Sequence, residues 1–440
     1  MIRLFSSLLL ASALPLVADQ AAVQVVRTEP ALPTDLAAYV LDPAPTTREL
    51  LLKKGDRLAI CGDSITEQKR YSVIIETYLA ACLPDLAITC RQYGWSGEKA
   101  ENFLKRQQHD VLRFKPTIAT TCYGMNDFRY VPYDERIATE YRQNQTAVVR
   151  AFKDAGCRVV LGSSGIIDSV PAWVKSASGT QQELNLALSR FRNINIAIAK
   201  EENVAFADVY RPMLLANHVA KKQYGETFKV AGKDGVHPDW AGQVIMAYAF
   251  LKGLGVDGDL GTVRYEESTG TATATNGHAV LSAQAGSITL RSARLPFCAG
   301  PGATDKDDSL RAGLALVPFD DELNRFILRI DTPQASAYSI SWGEQQKRFT
   351  AAQLTAGVNL AKEFDNNPLL PAFQQIREAV AKKQAYETRQ IKELIHGPEG
   401  TADADAAFAL TEKVRAPLAQ AVQTALRPVE HVIRIAAIKD

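Results

Sequence analysis

The chain has 440 residues, 46 % of them apolar, with 50 Lys plus Arg against 49 Asp plus Glu and a formal net charge of +1. At about 100–200 residues per domain, this length predicts two or three domains with real hydrophobic cores. The near-zero balance excludes the basic surplus that neutralises a phosphate backbone, so nucleic acid is not an expected partner.

The chain opens MIRLFSSLLLASALPLVADQAA. Arg3 supplies a short positive region, Leu4 to Val17 an apolar stretch, and small residues follow, with Ala18 as a cleavage position. This reads as a secretory signal peptide over 1–21, too short to span a bilayer; an uncleaved anchor is the alternative. No later segment has the ~20 apolar residues of a spanning helix. The mature chain is therefore expected to be secreted or periplasmic, without a transmembrane segment. Residues 22–49, with Pro30, Pro33, Pro43 and Pro45, read as an extended leader.

A regular alternation fills 50–255. Apolar strands are expected at 56–62, 86–94, 116–124, 157–164 and 203–209. Between and after them, helical spacing of apolar residues predicts helices at 70–82, 98–113, 134–155, 181–201 and 239–253. Near-continuous apolar strands alternating with helices imply a parallel sheet covered on both faces, a three-layer α/β domain. In such sheets ligands bind beyond the carboxyl ends of the strands.

The texture changes after Gly255. Short alternating stretches, Asn276-Gly277 as a turn signal, and the runs RFILRID (325–331) and AYSISWG (337–343) predict a small β module over 256–365. From 366 to 440 the spacing turns helical, with a break at His396-Gly397-Pro398 and a second helix over about 403–437, interrupted near Pro417 and Pro428. A C-terminal helical hairpin is expected. Of six cysteines, none forms a CxxC pair. Cys61, Cys122 and Cys157 lie in or beside strands as core thiols, and Cys82 and Cys90 are placed to pair in an oxidising compartment.

Four segments fall after strands or before the last helix of the α/β domain. They are Gly62-Asp63-Ser64, Gly94-Trp95-Ser96-Gly97-Glu98, Tyr123-Gly124-Met125-Asn126-Asp127 and Asp234-Gly235-Val236-His237-Pro238. Singly they read as a helix cap, turns and loop chemistry. Jointly they supply the parts of ester hydrolysis. Ser64 is the nucleophile, His237 the base that takes its proton, and Asp234 the carboxylate that orients the imidazole. The N–H groups of Ser64 and Gly97 and the side-chain amide of Asn126 are the oxyanion donors. Trp95, Tyr123, Phe128, Tyr130 and Tyr133 are candidates for lining the substrate cleft, with loop packing as the even alternative. Asp63, Asp127 and Asp239 read as structural acids. The remaining histidines show no metal-ligand spacing, so neither metal nor cofactor is expected.

The order GDS, a glycine block, GxND and DxxHP, across about 56–255, resembles the SGNH (GDSL-type) hydrolases, a family of esterases and lipases. The resemblance implies a flavodoxin-like α/β/α fold and a metal-independent serine mechanism. The second block departs from the family pattern, with Tyr93 and Glu98 where many members carry Asn and Asp. Gly94 is accordingly the alternative to Gly97. The expected function is a secreted carboxylic ester hydrolase working through an acyl-enzyme, with acetylated carbohydrate as the first choice of substrate. Alternatives are a lysophospholipase or acyl-thioesterase, and, in another class, an inactive hydrolase-fold binding protein.

Overall fold

The computed structural model describes residues 24–26 and 30–438; the segment read as a signal peptide lies outside the described residues. Five strands, β1 (Arg57–Gly62), β2 (Thr89–Gln92), β3 (Ile118–Cys122), β4 (Arg158–Gly162) and β5 (Ala205–Ala207), form a parallel sheet in the order β2-β1-β3-β4-β5. This is the flavodoxin-like strand order. Every residue of β3 is buried, as expected of a strand covered on both faces. The register pairs Leu58 with both Cys90 and Ile118, and Val160 with Ala205.

Helices α1 (Tyr71–Cys82), α2 (Ala100–Arg106), α3 (Glu135–Asp154), α4 (Gln181–Glu201), α5 (Tyr210–Tyr224) and α6 (Trp240–Gly253) belong to this domain. Asp134 caps α3, and Thr180 with Glu183 closes a capping box on α4. The helix expected over 98–113 is broken: α2 runs into a π turn at 107–111 and a 3₁₀ turn at 112–114. Helix α5 was unassigned in the sequence, although Met213, Ala216, Asn217 and Ala220 share its buried face. Leader residues lie on the domain through backbone carbonyls: Arg192 donates to Asp42 O at 2.8 Å and Arg211 to Pro30 O at 2.7 Å. Among the described residues no helix is long and apolar enough to cross a membrane. All six cysteines are buried and unbridged.

The C-terminal region builds two further sheets. Strands β6 (Asp259–Glu266), β7 (Thr271–Ala274), β8 (His278–Gln284), β9 (Ser287–Ser292), β10 (Arg325–Asp331), β11 (Ala337–Trp342), β12 (Gln345–Thr350), β13 (Val358–Asn359) and β14 (Val429–Ala437) assemble as β13-β10-β6-β7 and β8-β9-β14-β11-β12. Asn276 and Gly277, both at positive φ, make the turn that passes the chain from the first sheet to the second rather than joining a paired hairpin. The tail corrects the sequence reading. Helix α7 (Leu370–Arg389) is followed by α8 (Ala404–Ala425), which carries Pro417 inside it, and residues 429–437 are strand, not helix. That strand is the middle of the five-stranded sheet, pairing β9 on one side and β11 on the other. Its alternating VIRIA pattern is a β signature that helical continuity from α8 obscured.

Helix α7 lies along α1 and the outer side of β2. This explains why α1 is buried on all faces, as a helix apolar all round must be. Lys383 and Arg415 both donate to Cys90 O, at 2.8 and 3.2 Å, and Gln92 N donates to Glu387 Oε2 at 3.1 Å. Helical side chains thus occupy the hydrogen-bonding groups of an edge strand.

Between the two C-terminal sheets, Phe326 stacks on His278 at 4.5 Å and lies against Trp342 at 5.7 Å. A polar chain threads this core: Trp342 Nε1 to His431 Nδ1 (3.0 Å), His431 Nε2 to Ser292 Oγ (2.8 Å), Ser292 Oγ to His278 Nδ1 (2.7 Å), and His278 Nε2 to Leu260 O (2.8 Å). Indole N–H only donates, which fixes every proton down the chain and leaves both imidazoles neutral. Burial pushes each down to about 4. An unfolded His titrates near ~6.5, so the unfolded state takes up protons first as pH falls. Stability from this pair is present above about pH 6.5 and is lost as pH falls towards 4. Thermal unfolding between pH 7 and pH 4 should show a fall in Tm that is shallower in His278→Gln than in the parent protein.

Candidate active site

The four segments meet at the carboxyl ends of β1, β2 and β3. Ser64 opens a four-residue helical turn, Ser64–Glu67, directly after β1. The cap of that turn is Asp63, not Ser64: Asp63 Oδ1 accepts from Ile65 N at 3.0 Å. Ser64 is therefore the first helical residue, and its hydroxyl lies 2.8 Å from His237 Nε2. His237 Nδ1 is 2.6 Å from Asp234 Oδ2, while Asp234 Oδ1 accepts from the N–H groups of Val236 and His237, both at 2.9 Å. Burial alone would raise the Asp234 carboxyl; the backbone N–H of His237 and Val236 and the imidazole outweigh it and hold it below the usual range. With Nδ1–H given to the carboxylate, Nε2 is left to accept a proton.

The Asp234–His237 loop is pinned from the segment after β4. Asp168 N donates to Gly235 O at 2.8 Å, and its buried carboxylate accepts from Ala231 N at 2.7 Å and pairs with Lys221 at 2.9 Å. Asp239 caps α6 through Trp240 N and pairs with Arg70 at 2.7 Å. Ser163, in the same segment, is fully buried, and its hydroxyl accepts from Val209 N and Tyr210 N.

Two glycines of the second loop do different work. A Cβ on Gly94 would sit 2.2 Å from Glu67 N, so this glycine lets the loop close onto the turn that carries Ser64. Gly97 is exposed and takes the left-handed φ of +73° with open space around it. Among the described residues, the N–H groups of Ser64 and Gly97 have no protein acceptor. Asn126 Nδ2 donates to Glu98 O at 3.2 Å, with a longer contact of 3.4 Å to Asp63 Oδ2, and Tyr130 OH donates to Asn126 Oδ1 at 3.3 Å. Asp127 accepts from Ala100 N and Gly124 N, both at 2.9 Å, tying the third loop to the start of α2. Burial pushes both Asp63 and Asp127 up to about 7.

The aromatic candidates separate. Tyr123 and Phe128 are fully buried, and Tyr123 OH donates to Glu98 Oε2 at 2.9 Å. They are packing residues, which corrects their assignment to the cleft. Tyr130 is 5 % exposed and reaches the site through its hydroxyl. Trp95 is pressed by Arg106, Lys392 and His396, with centroid separations of 5.1, 5.2 and 5.0 Å. Tyr133 bonds Glu135, away from these loops. The open aromatic is one the sequence reading passed over: Trp173 is 52 % exposed, 5.8 Å from the His237 ring and 5.6 Å from Tyr130. A lone Trp in a loop of small residues was the available signal.

Glu98 and Arg106 form a buried two-point ion pair at 2.6 and 2.7 Å behind the second loop. Arg106 also reaches Asp110 at 3.3 Å, and Asp110 accepts from His109 at 2.6 Å and His396 at 2.8 Å. His109, Asp110 and His396 present one ligand atom each within 4.8 Å of one another. With Arg106 already on the carboxylate, the trio acts as a hydrogen-bonded clamp between the α2 extension and the C-terminal helices.

A second fastening reaches the site itself. Lys392 pairs with Glu67 Oε1 at 2.7 Å, and Glu67 Oε2 accepts from Ser96 N at 2.5 Å, one residue before Gly97. A C-terminal lysine thereby sets the second loop against the Ser64 turn. Lys392→Met should lower kcat about fivefold, the equivalent of roughly 1 kcal/mol for a lost charged hydrogen bond. KM should change little, and Lys392→Arg should restore most of the rate in steady-state assays with p-nitrophenyl acetate.

Residues 60–245 match the model of the GDSL-like lipase/acylhydrolase family. An acetylxylan esterase of Geobacillus stearothermophilus is 27 % identical over 221 residues, covering 46 % of this chain and 95 % of that protein. Among solved structures, a gut microbial diltiazem-metabolizing enzyme aligns over 89 % of this chain and 99 % of its own, with a TM-score of 0.70 and 21 % identity, a likeness of fold. The acetylxylan esterase Axe2 from Geobacillus stearothermophilus aligns over 47 % of this chain and 97 % of its own, with 24 % identity and a TM-score of 0.39. Residues 60–245 are thus a domain of the GDSL-like lipase/acylhydrolase (SGNH hydrolase) kind, and the protein is an ester hydrolase.

Proposed function

We propose that the protein is an extracytoplasmic serine esterase that removes acetyl groups from carbohydrate. The observation that carries the mechanism is the unbroken chain from Ser64 Oγ through His237 to Asp234. His237 Nε2 takes the Ser64 proton as Oγ attacks the ester carbonyl. The oxyanion is met by the N–H groups of Ser64 and Gly97 and by Asn126 Nδ2. His237 then protonates the departing sugar oxygen, leaving an acetyl-serine, and activates the water that releases acetate. The exposed face of Trp173 beside His237 supports a sugar ring as the alcohol part, because an open indole offers a flat apolar platform with a polar edge. The acetylxylan esterase relative supports the same choice. The placement outside the cytoplasm rests on the charge and apolar pattern of residues 1–21.

Two experiments test this. Ser64→Ala should abolish turnover, and Asn126→Ala should lower kcat by roughly 10²–10³ with KM nearly unchanged. His237→Ala should also remove nearly all activity, because no base is left to take the Ser64 proton. A loss of binding with kcat intact would make Asn126 a substrate contact instead. On acetylated xylan, Trp173→Ala should raise KM about tenfold, from about 1–2 kcal/mol of lost apolar contact. Its kinetics on p-nitrophenyl acetate should change far less; a preference of the parent enzyme for acyl chains of about eight carbons would overturn the acetyl reading.

A further inference from the structure

A cavity of about 690 Å³ lies between the catalytic domain and the C-terminal region. Its walls come from the residues after the Ser64 turn, the start of α6, the loop at 299–311 and helix α7. It borders the backbone that follows Ser64 and His237. Gln68, on its rim, donates its N–H to Ser64 O at 3.1 Å, and Arg70 NH1 contacts the carbonyl of Pro238, the residue after His237, at 3.4 Å. The half-buried Trp240 lines it with the Arg70 guanidinium 5.4 Å from its ring.

The charges in this cavity do not balance. Arg70 is answered by Asp239. Lys69, Lys306, Arg311 and Arg377 also line it, against two acids, Asp308 and Glu378. Among the described residues, Arg377 and the Lys306 ammonium have no hydrogen bond or ion pair, and Arg311 spends only its Nε, on Gly300 O at 2.8 Å. Arg377 is half-buried on α7, and its desolvation lowers its pKa, offset only by the neighbouring Glu378. A half-buried guanidinium without a hydrogen bond or ion pair, as at Arg377, is matched by an incoming anion with planar two-oxygen geometry, and Arg311, which also acts on the buried Asp320 carboxylate, adds positive charge beside it. The cavity volume falls in the range of sites that take small organic ligands.

We propose that this cavity is a subsite for a uronate residue, so that the enzyme's preferred substrate is an acetylated acidic polysaccharide rather than a neutral one. This rests on the carbohydrate-esterase reading above and adds the class of the chain that carries the ester. The sugar carboxylate sits between Arg377 and Arg311, with Lys306 at the rim and Trp240 beside the ring. The site is tied to the His237 segment through Arg70, which contacts Pro238 O.

The test uses full-length Ser64→Ala protein, which binds without turnover. Calorimetry with a de-esterified oligogalacturonide should give a Kd at least tenfold below that for a neutral xylo-oligosaccharide of equal length, and below that for a sulfated oligosaccharide. Arg377→Gln in the same background should weaken oligogalacturonide binding about tenfold and leave neutral binding unchanged, with an unaltered Tm as the check on folding. Equal affinity for neutral and uronate chains, tighter binding of the sulfated chain, or an Arg377→Gln variant that binds like its parent would each overturn the subsite. Acetate release by the parent enzyme from acetylated xylan and acetylated galacturonan is measured separately. Its absence on both would sink the carbohydrate reading, whereas the binding result stands without it.

Discussion

The open edge of β2 is the constraint on which the rest of the molecule depends. A parallel sheet in the order β2-β1-β3-β4-β5 ends at β2 with backbone groups that need partners. Here Lys383, Glu387 and Arg415 supply them from helices α7 and α8. These side chains are themselves charged and buried, so each must be answered: Lys383 by Glu76 at 3.0 Å and Glu387 at 2.7 Å, and Glu387 also by Arg415 at 2.7 Å. Burial pushes Glu76 up. The same burial acts on Glu387, but Lys383 and Arg415 outweigh it and hold it down. Removing one member of such a cluster leaves an unpaired buried charge, at a cost of about 3–5 kcal/mol. The C-terminal helices are therefore part of the catalytic domain's fold, not an appended module.

That attachment brings the C-terminal region to the active site. Once α7 is fixed along β2, the π turn that continues it places Lys392 on Glu67 and ends beside His396 on Asp110. Both contacts bear on the second loop, one through Ser96 and one through the Glu98–Arg106 pair behind it. A loop at a functional site is precise only if its position is set before a ligand arrives. Here it is set by residues nearly three hundred positions away in sequence.

The site also concentrates acids. Burial lifts Asp63 and Asp127 to about 7, and Asp127 and Glu98 lie close enough to Asp63 to raise it further. Asp63 caps the Ser64 turn and Asp127 ties two loops together through backbone N–H groups, while Glu98 holds Arg106 and Tyr123. Asp234, by contrast, is held ionised by backbone N–H groups and the imidazole. Asp234 is thus distinguished from its neighbours by its lesser burial and the imidazole beside it, not by its residue type.

The α/β order, the strand-end placement of the four segments, and the identities of Ser64, Asn126, Asp234 and His237 were legible in the sequence because they are local. An apolar run, a cap and a glycine turn each declare themselves within a few residues. Gly94 and Gly97 were distinguishable only in three dimensions, since one is constrained by the backbone of Glu67 and the other by its own φ. The aromatic residues misled for the same reason: Tyr123 and Phe128 stand in the right loops, but side-chain direction decides burial, and Trp173 comes to His237 from the loop after β4. Residues 429–437 continued a helical region by pattern, yet only the unpaired faces of β9 and β11 made them a central strand. What one turn or strand can specify, the sequence alone determined. Which edge a helix covers, which lysine reaches the second loop and which charges lie unanswered in a cavity depend on contacts between distant segments, and only the tertiary structure decides them.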